Sequence, residues 1–84
     1  MNPVLLLGSI ISFNYFSSNN GVERQLTGII TYIGRYGITA KVGNVDYSLR
    51  YRNHVIKVLQ YPVKPDGTIC TEKELPYYFP EYFI

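Results

Sequence analysis

The amino-acid sequence predicts an all-β fold: five short strands within residues 1–60 closing into a small barrel, followed by a C-terminal extension over residues 61–84. Three observations lead there. Helical periodicity is weak, whereas apolar and polar residues alternate with period two in short runs. The runs are rich in β-branched and aromatic residues, with nine tyrosines and four phenylalanines in the chain. Glycine-containing turns separate them.

The first run covers residues 9–16, where Ile11, Phe13 and Tyr15 share one face and Ser12 and Asn14 take the other. The polar cluster Ser17, Ser18, Asn19, Asn20 and Gly21 has the composition of a loop. The second run spans residues 25–33, and its alternation leaves the register open.

Val42-Gly43-Asn44-Val45 offers a two-residue turn whose glycine and asparagine tolerate the positive φ of primed turns, which predicts a hairpin. With Val42 opposite Val45, one face pairs Ala40 with Tyr47, Ile38 with Leu49 and Tyr36 with Tyr51, all residues suited to burial. The other face pairs Lys41 with Asp46, Thr39 with Ser48, Gly37 with Arg50 and Arg35 with Arg52. A fifth run, residues 55–59, follows the short Arg52-Asn53-His54 turn. Five short strands in so little chain protect their edges by closing on themselves.

This layout resembles the Src-homology-3-like small barrels, including the KOW and Tudor types and short barrel proteins of bacteria and their phages. The resemblance covers residues 8–59: an opening strand Gly8-Ser9-Ile10-Ile11-Ser12-Phe13, a loop, the strand Thr27-Gly28-Ile29-Ile30, the central hairpin, and a short turn into Val55-Ile56-Lys57-Val58. The glycine pattern of a KOW motif is absent and no aromatic cage for methyl-lysine can be assigned. The resemblance therefore implies a fold and not a ligand.

In the extension, Lys64-Pro65-Asp66-Gly67-Thr68 is a turn signal for a further hairpin between residues 60–63 and 68–71. Thr71-Glu72-Lys73-Glu74 has the form of a capping box, but Pro76 lacks the N–H of a continuing helix, so one helical turn is expected.

Composition narrows the function. The richest apolar stretch, residues 4–13, is too short and too interrupted to cross a bilayer, and Met1-Asn2-Pro3 supplies no basic start for a secretory signal, so a cytoplasmic protein without membrane association is expected. One cysteine, Cys70, and one histidine, His54, exclude a disulfide framework and a conventional zinc set. No Gly-rich phosphate loop or HExxH motif is present, so neither cofactor nor metal is expected. His54 stands in a tight turn with no orienting carboxylate nearby in sequence, and no enzyme is expected.

Two surfaces can carry binding. The C-terminal Tyr77, Tyr78, Phe79, Tyr82 and Phe83, set among Pro76 and Pro80, are an unusual concentration of aromatics for a terminus; they suit packing on the barrel, a protein partner or a second copy of the chain. The basic residues Arg35, Lys41, Arg50, Arg52 and Lys57, with Tyr36 and Tyr51 near a barrel end, suit nucleic acid or another anion. Charge is divided accordingly: residues 1–64 hold seven Lys/Arg against two Asp/Glu, and residues 65–84 one against four. The leading expectation is a small non-enzymatic regulatory or adaptor protein binding another macromolecule, of a size that suits a phage- or mobile-element-encoded inhibitor of a host protein. The alternatives are a nucleic-acid-binding barrel and a nucleotide sponge.

Overall fold

The computed structural model describes residues 4–17 and 21–83; Ser18, Asn19 and Asn20 of the predicted loop, together with Met1, Asn2, Pro3 and Ile84, lie outside the described residues. The strands are β1 (Ile10–Ser17), β2 (Val22–Ile33), β3 (Gly37–Val42), β4 (Val45–Arg50) and β5 (Ile56–Gln60). They form one antiparallel sheet in the order β4-β3-β2-β1-β5.

The β3–β4 hairpin has the expected register from Val42 opposite Val45 to Gly37 opposite Arg50. Of the two turn residues only Gly43 uses positive φ, +61°, while Asn44 does not. This is the pattern of a type II′ turn, whose first central position favours glycine. At the far end of the hairpin, a Cβ on Gly37 would collide with the Leu49 carbonyl, so the two strands approach closely where β3 begins.

β2 starts earlier than the alternation suggests, because β1 and β2 continue as a two-stranded ribbon out to Ser17 opposite Val22. Glu23, Arg24 and Gln25 are exposed there, so no apolar face marks the strand. Further along, a bulge between Ile30 and Tyr32 shifts the pairing with β3, and the consecutive Ile29 and Ile30 are both buried. Period two is lost at that point, which is why it left the register open.

Ile11, Phe13, Ile30, Ile38, Ala40 and Leu49 form the core, with Tyr15, Tyr47, Ile56 and Val58 packed against it. Each fully buried Ile, Leu or Phe contributes about 1.5–3 kcal/mol relative to exposure.

Two expectations are corrected. The sheet is not closed: β4 pairs only with β3 and β5 only with β1, because residues 51–55 carry the chain across to β1 and not alongside β4. Tyr36 and Tyr51 are not buried, being 64% and 39% exposed. Both lie beyond the last paired residues of the hairpin, in a bend and a turn with no opposing layer.

After β5, Val63 bridges Ile69 across a turn closed by the Gly67 N–H on the Lys64 carbonyl (2.8 Å) and by Thr68, whose N–H and hydroxyl donate to Asp66 Oδ1. The Glu74 carboxylate then accepts the Thr71 N–H (3.2 Å) and hydroxyl (2.8 Å), closing the turn that leads into the single-turn α1 (Leu75–Tyr78), which has Pro76 in its first turn and no side-chain cap. Leu75 is buried over Gly8, and Lys64 pairs with Glu74 at 2.9 Å. No helix among the described residues is long and apolar enough to cross a membrane.

Candidate functional site

The two ends of the hairpin that face away from the Gly43 turn build a cleft. The bend before β3 supplies Arg35 and Tyr36; the end of β4 supplies Arg50; the turn after it supplies Tyr51, Arg52 and Asn53. These six residues line a cavity of about 640 Å³.

The walls are tied together. Tyr51 donates its backbone N–H to the Tyr36 carbonyl at 3.1 Å and its phenol to the Gly34 carbonyl at 3.0 Å. The second turn is closed on itself, with the Arg50 carbonyl accepting the N–H groups of Asn53 (3.1 Å) and His54 (3.0 Å). The Arg50 N–H donates to His54 Nδ1 at 3.1 Å. That nitrogen's acceptor role is thus used by the backbone, and the imidazole lies near-parallel to the Tyr15 ring at 6.0 Å.

The cleft is cationic. No Asp or Glu lines it, and among the described residues none of its three arginines has a carboxylate within ion-pair distance. The Arg35 guanidinium lies over the Tyr36 ring, 5.5 Å from its centroid, which orders both side chains and leaves much of Tyr36 in solvent. A shallower cavity of about 260 Å³ adjoins the first, shares Arg35, Tyr36 and Arg50, and adds Tyr32, which is 62% exposed and whose ring lies against Gly34. Guanidinium forks suit phosphate or carboxylate, and exposed phenol rings suit planar groups.

Of the basic residues expected to act together, Arg35, Arg50 and Arg52 share this cleft and Lys41 and Lys57 do not. Lys41 stands opposite Asp46 near the Gly43 end of the hairpin, and Lys57 lies on β5 at the other edge of the sheet. Asn53 and Gly34 join the site without having been singled out. Asn53 followed directly from the turn that contains Arg52, whereas Gly34 acts only through its carbonyl and had no side-chain signal.

The C-terminal aromatics divide. Tyr77 is 79% exposed, its ring meeting that of Tyr78 edge-on at 4.9 Å, and Tyr82 is also exposed. Phe79 and Phe83 are half-buried. Beneath them the Lys64 and Thr71 contacts hold the Glu74 carboxyl below its ordinary range, and the hydrogen bond to Glu74 raises Lys64 above its own. Burial pushes the Cys70 thiol up, so it is no activated nucleophile. No group of three or more His, Cys, Asp or Glu among the described residues could hold a metal ion.

No protein-family model, no curated protein and no solved structure matches this chain.

Proposed function

We propose that the chain is a non-enzymatic binding module of the Src-homology-3-like, partly open barrel type, and that single-stranded nucleic acid binds in its arginine–tyrosine cleft. The β1–β4 meander followed by a tight turn that returns β5 to β1 supports the fold assignment. The observation that carries the function is that Arg35, Arg50 and Arg52 line one cleft with two exposed tyrosines and no carboxylate. Arginines would take backbone phosphates, while Tyr36 and Tyr51 would stack on unpaired bases, which a duplex keeps inside its stack. The cytoplasm suits this role, and there the single Cys70 thiol stays reduced.

The test is a titration of fluorescein-labelled 12-nucleotide oligomers followed by anisotropy. Single strands should bind at least about tenfold more tightly than the corresponding duplex. A mononucleotide competing equally well would move the ligand to a free nucleotide. Absence of binding to all three would remove the reading.

A second reading, a protein-binding adaptor or inhibitor of a host protein acting through the C-terminal aromatics, is favoured by the outward-facing Tyr77–Tyr78 pair. Such a complex would be nearly indifferent to salt and would be lost on truncation after Leu75.

A further inference from the structure

The edge of β4 is half open, and its open half is complementary to itself. A two-residue hairpin loop makes its flanking residues, Val42 and Val45, an exchange pair, so Val45, Tyr47 and Leu49 direct their N–H and C=O groups to β3. Asp46, Ser48 and Arg50 therefore direct theirs outward. At Arg50 both groups are used, the N–H by His54 Nδ1 and the carbonyl by the 51–54 turn. At Asp46 and Ser48 neither backbone group has a protein partner among the described residues. Both residues are exposed, and β5 does not lie alongside them.

We propose that β4 pairs antiparallel with β4 of a second copy of this chain, on a two-fold axis that passes between the two Tyr47 residues. In that register Asp46 faces Ser48 of the second copy and Ser48 faces its Asp46, so all four free groups of each copy are matched in two exchange pairs. Centring the axis on Ser48 would match Asp46 with Arg50, whose groups His54 and the turn already occupy. Centring it on Asp46 would set like charges opposite each other and run Ser48 against the Gly43-Asn44 turn.

The side chains agree with the Tyr47-centred register. On the outer face Arg50 lies diagonal to Asp46 of the second copy, opposite charges that attract across the strands while the guanidinium stays in the cleft, and the symmetry makes this relation twice. On the inner face Val45, an apolar residue left 53% exposed in the single chain, comes to lie beside the second copy's strand, which takes part of it out of water. His54 marks where pairing stops, since it closes the edge beyond Ser48.

Sedimentation equilibrium of the full chain, with thermal melting as the control for folding, tests this. The wild type should show a mass twice the 9.7 kDa chain, rising to that value with concentration and not beyond. Ser48→Pro removes an outward N–H at an edge position that tolerates proline and should give a monomer of unchanged fold. Asp46→Arg should weaken association by at least about 30-fold, and Asp46→Arg with Arg50→Asp should restore it. A monomer at every concentration, a larger closed assembly, or a dimer that survives Asp46→Arg would overturn the proposal. If Ser48→Pro fails to fold, the charge-reversal pair decides alone.

Discussion

The phenol of Tyr51 donates to the carbonyl of Gly34 at 3.0 Å, joining two turns separated by 17 residues in sequence. Together with the bond from the Tyr51 N–H to the Tyr36 carbonyl, it sets the separation of the arginines on either wall of the cleft. Tyr51→Phe deletes only the phenol contact. The fold should persist with a loss of about 1 kcal/mol or less, as expected for a solvent-exposed hydrogen bond. Oligonucleotide affinity should fall by a larger factor than stability does, which parallel thermal melts and anisotropy titrations would show.

Gly37 and Gly43 make opposite demands on the hairpin. A Cβ at position 37 meets the Leu49 backbone, whereas nothing lies within 4 Å of a Cβ at Gly43, where the cost is the positive φ of +61°. Gly37→Ala should therefore destabilise by about 2–3 kcal/mol and disturb the adjoining Arg50, and Gly43→Ala by about 1 kcal/mol. Urea denaturation of the two variants checks the order.

The hairpin was legible because turn chemistry and alternation agreed, and one two-residue turn fixed six pairs at once. Extending that register sets Arg35 across from Arg52 and Tyr36 across from Tyr51 but on opposite faces, so the pairs are legible in the sequence and their meeting in one cleft is not. The exposure of the two tyrosines is not legible either, since period two says which face a residue takes and not whether another layer covers it. Grouping Lys41 and Lys57 with the arginines followed from the same limit: face is encoded locally, but position along and across the sheet is not. The polar start of β2 and the unclosed edges depend on pairing between distant segments, which leaves no mark on either segment alone.

Leu75 fixes the C-terminal segment by filling the space over Gly8, where a Cβ would stand 2.8 Å from Leu75 Cδ2. Leu75→Ala should cost about 3 kcal/mol. In hydrogen exchange, amides of residues 75–79 should lose protection before those of the β1–β2 ladder. Equal loss throughout would show that the segment is one cooperative unit with the sheet.

The Lys64–Glu74 pair makes this segment sensitive to pH. Glu74 is lowered from its ordinary value of 4.5 by hydrogen bonds from Lys64 and Thr71. Its contribution is therefore complete above that value and is lost as pH falls through the lower value of the folded state. Lys64 is raised above 10.5, chiefly by Glu74, so its contribution is present below that value and lost as pH rises through the folded one. The ¹³C NMR shifts of the Glu74 carboxyl and the Lys64 Cε should be flat between the two limits, the first changing at the acidic end and the second at the basic end. Glu74→Gln should abolish the acidic change attributable to this pair.

The salt dependence of oligonucleotide binding is the most direct measurement of the central claim. For the wild type, log K against log salt should fall with a slope of about −2, corresponding to three arginine–phosphate contacts on a single strand. Arg35→Ala with Arg52→Ala should reduce the slope to about −0.7 while the melting temperature holds. A slope unchanged by the double substitution, or binding indifferent to salt, would contradict the assignment of the cleft as the nucleic-acid site.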